Sequence, residues 1–415
     1  MKHGWKVAIV CLLVLTLLAT IGAGCGKKGE GKVTITIGQV NDLTGAASSI
    51  CITVSKALQD IVRYYNDENL IPGVKLKAVI YDTGLDPSKE IPGYDWCKSK
   101  GAQVVTDVLP SSIILKPFAT RDKIPLFSYT GLKELLFPTS DVGYGFCLIN
   151  PDFYSEQAVL KWVSENDWNY EAKERKPKLG AVGAVLPNDI ECLAAVKEYA
   201  QDNPDEFDYV GGFSSPVGTT LWSGAVAALK DCDYVVLTHA VGGDMAAFVD
   251  QYRSSGGAAK FLGGNQPLTY LSLLVAKVGW NAMNGSLTAD GTKWWWEDSP
   301  ITTLAKEVLE RYRHGEANSI LQADLGKGYV GAFHQSKFLL DLLSQVVKDV
   351  GAKNVNGQAI YDTAIRFHVT YQGYPEWGYT ETERVQNKYV RIMEWEAADS
   401  TLTPVSDWLP LPFGY

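Results

Sequence analysis

The sequence contains few of the residues that build metal or redox centres. None of its seven cysteines forms a C-x-x-C pair, which excludes zinc-ribbon and thioredoxin-like sites. Five histidines are present, and no two stand four residues apart, so a metal site on one helix is not expected. We therefore predict neither a metal ion nor another cofactor.

Clusters of basic residues are missing too. The net charge is −9, and the acidic residues are spread along the chain. Nucleic-acid-binding proteins need clustered Lys and Arg, so no nucleic-acid partner is expected. Catalytic motifs are equally scarce. There is no G-x-S-x-G elbow, "GKGYVG" (326–331) has no preceding strand, and "GKKGEGKV" (26–33) ends in Val33 where a phosphate loop needs Ser or Thr. The sequence favours a binding protein that is not an enzyme.

The long apolar run lies near the N-terminus. The run is "VAIVCLLVLTLLATI" (7–21). The basic residues Lys2 and Lys6 precede it, and the small residues 22–24 follow it. The run is shorter than the roughly 20 residues of a membrane span. A basic start, an apolar centre and a small-residue end are typical of an export signal, which we assign to residues 1–24.

Cys25 follows this segment and resembles the lipidated cysteine of the bacterial lipobox, although Gly22 stands where that motif usually has Leu. We predict a lipid anchor at Cys25 and a flexible tether over 25–32. An uncleaved anchor helix is the alternative. In both cases the rest of the chain lies outside the cytoplasm, in the periplasm or on the outer surface. Five cysteines remain, and we predict no particular disulfide: Cys51, Cys97, Cys147, Cys192 and Cys232.

Strand and helix patterns alternate in two runs, 33–148 and 178–264. "VTITIGQV" and "VKLKAVIYD" of the first run and "KLGAVGAVL" of the second are typical of strands. Near-continuous apolar strands joined by helices indicate parallel sheets covered on both faces. We predict an α/β fold with two doubly wound lobes. After residue 264 the alternation ends, and two helices and an extended, aromatic-rich tail follow.

Four segments in order resemble the leucine/isoleucine/valine-type periplasmic binding proteins, the solute receptors of ABC importers. They are "IGQVNDLTGAAS", "NLIPGVKLKAVIYDTGLDPSKEI", "KIPLFSYTG" and "YVVLTHAVGGDMAAFVDQYRSSG". The resemblance implies a three-segment hinge, with lobe 1 over 33–150 plus 297–370 and lobe 2 over 151–290 plus 385–415. It also implies a ligand cleft between the lobes, a permease partner and, through the anchor, the membrane.

The resemblance assigns a carboxylate site to two turns of lobe 1. Ser111 and Ser112 form one turn, and Ser128, Tyr129 and Thr130 form the other. Hydroxyls beside backbone N–H groups hold an anion well without a buried cation. The alternative is that these side chains only satisfy the backbone of their own turns.

The ammonium end of an amino acid has a less obvious partner. Relatives place an acidic residue after the strand that reads "KFLGG" here, but this chain has Asn265 and Gln266. Asp189 could supply the negative charge, or it could be a helix cap. An amino acid, an apolar carboxylate or an amide would each fit.

Two further candidates come from other positions. Tyr329 opens a long helix where relatives point a side chain at the cleft, and His239 sits at the carboxyl end of the strand "VVLT". Of Trp294, Trp295 and Trp296, one or two would face the cleft and the rest would pack. We predict an exported, membrane-tethered solute-binding lipoprotein of an ABC importer. A ligand sensor for a membrane signalling partner is the alternative.

Overall fold

The computed structural model describes residues 31–108, 112–136, 142–238, 243–323 and 327–412. Its first five strands form one sheet, in which all pairs are parallel and the order is β2-β1-β3-β4-β5. The elements of this part of the chain are β1 (Val33–Asn41), α1 (Ser48–Asp67), β2 (Val74–Asp82), α2 (Glu90–Ser99), β3 (Ala102–Asp107), α3 (Ser112–Asp122), β4 (Leu126–Ser128), α4 (Lys133–Leu136) and β5 (Gly145–Cys147).

The next part of the chain builds most of a second sheet. Its elements are α5 (Asp152–Asn166), α6 (Tyr170–Lys173), β6 (Lys178–Ala184), α7 (Pro187–Asp202), β7 (Asp208–Ser215), α8 (Ser223–Leu229), β8 (Tyr234–Leu237), α9 (Asp244–Ser254), β9 (Lys260–Gly263), α10 (Gln266–Thr269), α11 (Leu271–Met283) and β10 (Leu287–Asp290). The neighbouring strands among β6 to β10 are parallel. This arrangement confirms the predicted α/β class.

The last part of the chain returns to the first sheet and then to the second. Its elements are α12 (Pro300–Arg313), α13 (Ala317–Ala323), a π-helical turn (Lys327–Gly331), α14 (Ala332–Val350), α15 (Gly357–Ala364), β11 (His368–Thr370), β12 (Glu376–Gly378), β13 (Tyr389–Glu396), β14 (Thr401–Pro404) and β15 (Leu409–Pro410). The second sheet runs β14-β13-β10-β9-β8-β6-β7, with β13 antiparallel to β10 and β15 paired with β13.

Each sheet with its covering helices forms one lobe. Apolar residues of α1, α12 and α14 share one core with the first sheet, as the amphipathic pattern of α1 predicts. Val54, Leu58 and Ile61 of that helix are all buried. The cysteines at 51, 97, 147, 192 and 232 are buried and unpaired, which is typical of small apolar side chains.

The chain passes between the lobes three times, and two asparagines tie the three passages together. Asn150 donates from Nδ2 to the carbonyl of Asn387 (2.6 Å), and Asn387 donates from Nδ2 to the carbonyl of Gly291 (2.6 Å). A Cβ atom at Gly291 would lie 1.4 Å from Asn150 Oδ1, so a larger residue there would displace the amide that ties the passages together. This confirms the three-segment hinge.

No helix within the described residues is long and apolar enough to cross a bilayer. Across the same residues, no cluster of His, Cys, Asp and Glu side chains is arranged to hold a metal ion.

Candidate functional site

A cavity of about 150 Å³ lies between the lobes. It is lined where β3, β4, β6, β9 and β10 end, as expected at the carboxyl ends of parallel strands. The first lobe, including the π-helical turn and α14, contributes Ile50, Cys51, Val54, Val108, Tyr129, Thr130, Lys327, Gly328, Gly331, Ala332 and Gln335. The hinge and the second lobe contribute Ile149, Asn150, Asp152, Ser155, Leu186, Asn188, Asp189, Asn265, Gln266, Thr269, Tyr270, Ala289, Asp290, Gly291 and Thr292.

Two carboxylates dominate the second-lobe wall. Asp152, in the first turn of α5, accepts hydrogen bonds at Oδ2 from Asn188 Nδ2 (3.0 Å) and Gln266 Nε2 (3.1 Å). Asp189, in the first turn of α7, accepts the backbone N–H of Ala184 at Oδ2 (3.0 Å). The predicted Asp189 therefore reaches the cavity and also fastens its helix to the end of β6.

Burial changes the titration of this wall. It raises the pKa of Asp152 to about 6, and the charge of Asp189 adds to the shift, while the bonds from Asn188 and Gln266 oppose it. The backbone N–H of Asn265 lies near the same carboxylate and opposes the shift as well. Glu156 lies one helical turn further along α5, and burial raises its pKa well above the usual value. Ionisation of Asp152 and Glu156 is therefore unfavourable unless a positively charged group lies in the cavity.

An ion pair joins the two sides of the cavity. Lys327, in the π-helical turn, donates from Nζ to Asp290 Oδ1 (2.5 Å) and to Thr292 Oγ1 (3.1 Å). Asp290 ends β10, and its Oδ1 also accepts the backbone N–H of Thr292 (2.9 Å). Both charged side chains are largely buried, at 10% and 1% exposure. The pair therefore fixes the distance between the first lobe and the end of β10.

The first-lobe wall is the predicted turn after β4. Tyr129 and Thr130 line the cavity, whereas Ser128 lies beneath them. The N–H of Tyr129 donates to the carbonyl of Asp107 (2.8 Å), and the N–H of Thr130 donates to Ser128 Oγ (3.0 Å). Both backbone donors of this turn are thus already used within the protein.

The structure brings some of the other predicted residues to the cavity and not others. Asn265 lines it and bonds with Thr269 Oγ1 (3.2 Å). Tyr329 does not line it: the ring is buried in the first lobe, and its hydroxyl donates to Asp60 Oδ2 (3.0 Å). Ser112 begins α3, is fully buried and is not part of the lining. The tryptophans 294–296 pack outside the cavity, with Trp294 stacked on Trp296.

Three predicted residues lie outside the described residues: Cys25, Ser111 and His239. The same holds for the predicted export signal over 1–24 and for most of the tether over 25–32. These assignments remain predictions.

Comparisons with known proteins agree with this geometry. A protein-family model described as "Periplasmic binding protein" matches residues 34–400. The chain belongs to the periplasmic binding protein family. Members of this family are solute-binding proteins that catalyse no reaction, and membership indicates an exported protein. No protein in a curated sequence set matches the chain.

Solved structures share the fold of this periplasmic binding protein. One is a branched-chain amino acid ABC transporter protein from Thermus thermophilus with bound valine, with TM-score 0.77, 20% identity and coverage of 92% of this chain and 97% of that one. Another is a fatty acid ABC transporter substrate-binding protein from Thermomonospora curvata, with TM-score 0.75, 17% identity and coverages of 92% and 94%. A third is a solute-binding protein from Rhodopseudomonas palustris HaA2 in complex with p-hydroxybenzoic acid, with TM-score 0.71, 15% identity and coverages of 91% and 97%.

In this periplasmic binding protein, four residues that the sequence analysis did not select also line the cavity: Asp152, Asn188, Asp290 and Lys327. Asp152 has a visible signal, because it follows the first passage between lobes and begins a helix. Asp290 and Lys327 have none, because their pairing depends on a short strand and on a contact between distant parts of the chain.

Proposed function

We propose that this periplasmic binding protein is the solute receptor of an ABC importer. It captures a small solute between its lobes and presents the closed complex to the permease subunits. The observation that carries the proposal is the cavity of about 150 Å³ lined by both lobes and the hinge. A cavity of about this size is known to hold a benzene-sized ligand. The size supports a small amino acid or a related carboxylate or amide.

The lobe boundaries follow from the same proposal. Residues 33–150 plus 297–370 form the lobe that carries the first sheet, and residues 151–290 plus 385–415 form the other. Hinge closure between them traps the solute. We further propose that Cys25 is lipidated and that 25–32 tether the receptor to the membrane. A Cys25→Ala variant is then released from membranes, and full retention in the membrane fraction would disprove the anchor.

A cavity-filling variant tests solute capture. Thr269 lines the cavity and is half-buried, so Thr269→Trp fills the space with little disturbance of the core. Lys277→Trp adds the same side chain at an exposed position of the same lobe and is the matched control. A thermal-shift screen of amino acids, amines, amides and carboxylates identifies a solute, and calorimetry measures its affinity.

We expect the control to bind the solute as the wild type does and Thr269→Trp to lose at least tenfold in affinity. Equal affinity of Thr269→Trp would place the solute elsewhere and contradict the proposal. Uptake of the same solute into vesicles that contain the cognate permease then shows import, whereas a sensor gives binding without uptake.

A further inference from the structure

We propose that the solute carries a net positive charge on a nitrogen with several N–H groups, such as a primary ammonium or a guanidinium. Asp152, Asn188 and Asp290 bind this group. The inference rests on the proposed function, because it concerns the same cavity. It adds a cationic class to the solutes that the size of the cavity allows and disfavours the carboxylates and amides among them.

The first argument is that the cavity wall has hydrogen-bond acceptors without donors. Asp152 Oδ1, Asn188 Oδ1 and Asp290 Oδ2 are buried and make no hydrogen bond within the described residues. The three side chains are 2%, 3% and 1% exposed, respectively. The amide of Asn188 cannot be turned round, because its Nδ2 donates to Asp152 Oδ2 and a flip would bring two oxygens together. Buried acceptors are costly unless a donor satisfies them, so this wall needs a donor-rich partner.

The second argument is that donors suitable for a carboxylate are largely used within the protein. The N–H groups of Tyr129 and Thr130 are bonded to Asp107 and Ser128. Asn150 Nδ2 donates to backbone carbonyls, and Gln266 Nε2 donates to Asp152. A carboxylate at this site would have to rely on the side chains of Gln335, Tyr270 and Thr130 or displace bonds that already exist.

The third argument is the balance of charge. Among the described residues that line the cavity, the charged ones are Asp152, Asp189, Asp290 and Lys327. Lys327 is the one lysine or arginine among them, and it is already paired with Asp290. A solute carboxylate would therefore face the buried carboxylate of Asp152 without a further described cation beside it, which is unfavourable, whereas a solute cation would be attracted to it. A neutral amide would satisfy acceptors but leave the charge in place.

Matched probes test the inference. 3-Methylbutylamine, L-valine and 3-methylbutanoate share a carbon skeleton and are cationic, zwitterionic and anionic. 4-Hydroxybenzylamine and 4-hydroxybenzoate form an aromatic pair. Calorimetry at pH 8 compares the wild type with Asp152→Asn. Asp208→Asn removes the same charge at the opposite end of the second sheet, where the side chain is exposed, and is the control.

We expect each amine to bind at least tenfold more tightly than the carboxylate of its series, with valine between them. Asp152→Asn should weaken amine binding at least tenfold and should not weaken carboxylate binding, while Asp208→Asn changes neither. The melting temperature of Asp152→Asn verifies that the variant is folded. A smaller preference for amines, or a smaller loss in Asp152→Asn, overturns the inference but leaves solute capture intact. If no compound of any charge binds, the proposed function is contradicted as well.

Discussion

The two walls of the interlobe cavity satisfy their polar groups in different ways. In the first lobe, the turn at 128–130 uses its backbone donors internally, so that wall offers shape and little unsatisfied polarity. In the second lobe, Asp152 and Asn188 keep buried oxygens that no donor of the described residues satisfies. A wall whose polar groups are already hydrogen-bonded within the protein gains little binding free energy from a polar ligand. A wall with unsatisfied acceptors gains much more. We infer that polar recognition resides mainly in the second lobe.

Breaking the ion pair between the walls should have the largest effect. Lys327→Met leaves Asp290 buried without its cation, and removal of one partner of a buried pair costs about 3 kcal/mol or more. We expect the free energy of unfolding to fall by about that amount, measured by denaturant titration at pH 7. The second-lobe side of the cavity also becomes more negative, so amine probes should bind no more weakly than before.

Two variants control this result. Lys176→Met removes a cation from an exposed pair with Asp208 and should cost less than about 1 kcal/mol. Lys327→Met combined with Asp290→Asn leaves no charge unpaired, so it should recover most of the lost stability. A double variant that is as unstable as Lys327→Met alone would show that the pair matters for packing and not for charge.

The titration of Asp152 should give the next largest effect. Its pKa is about 6 in the folded protein and about 4 when unfolded, so the carboxyl lowers stability progressively as the pH rises from about 4 to about 6. Asp152→Asn removes this penalty. We expect the variant to be more stable than the wild type above pH 6, by roughly 2–3 kcal/mol at most, and equal to it near pH 4.

Thermal unfolding of both proteins from pH 4 to pH 8, without solute, measures this difference. An advantage that does not change with pH would mean that the carboxyl of Asp152 keeps an ordinary pKa. An advantage that grows between about pH 4 and pH 6 and is constant above would support the view that the second-lobe wall lowers stability in favour of recognition.

The sequence patterns predicted the strands correctly where these strands are long or strongly apolar. β2 matches its predicted bounds, 74–82, because it alternates apolar and polar residues between clear turn signals. β10 and α11 were not predicted. β10 has only the four residues "LTAD", and it is a strand because β9 and β13 pair with it on both sides. Such pairing is tertiary and leaves no local signal.

The site was predictable to the extent that it follows recognised strands. Tyr129, Thr130, Asp189 and Asn265 stand after β4, β6 and β9, and all four line the cavity. Asp290 stands at the end of the strand that was missed. Tyr329 faces the core because its hydroxyl meets Asp60, a contact across more than two hundred residues that no periodic pattern encodes. A pattern can show where strands end, but it cannot show which neighbour a side chain meets.

A smaller effect is expected from the turn beneath the first-lobe wall. Ser128 Oγ accepts the N–H of Thr130 (3.0 Å) and donates to the carbonyl of the same residue (2.9 Å). Ser128→Ala should therefore lower the free energy of unfolding by about 1 kcal/mol, the typical worth of a buried hydrogen bond. Amine affinity, measured by calorimetry, should stay within about twofold. A loss of amine affinity of tenfold or more would show that the first lobe contributes to polar recognition of the solute.

The smallest effect should come from Thr130→Val, which removes a hydroxyl from the cavity wall and keeps the shape of the side chain. Thr130 Oγ1 lies 3.5 Å from the carbonyl of Val108, at the limit of a hydrogen bond, so stability should change by less than about 0.5 kcal/mol. The outcome depends on the charge of the solute. An amine bound by Asp152 does not need this donor, so its affinity should change by less than about twofold. A carboxylate would depend on one of the few donors left to it, so a loss of several-fold in Thr130→Val would mean that the first-lobe wall holds an anion after all.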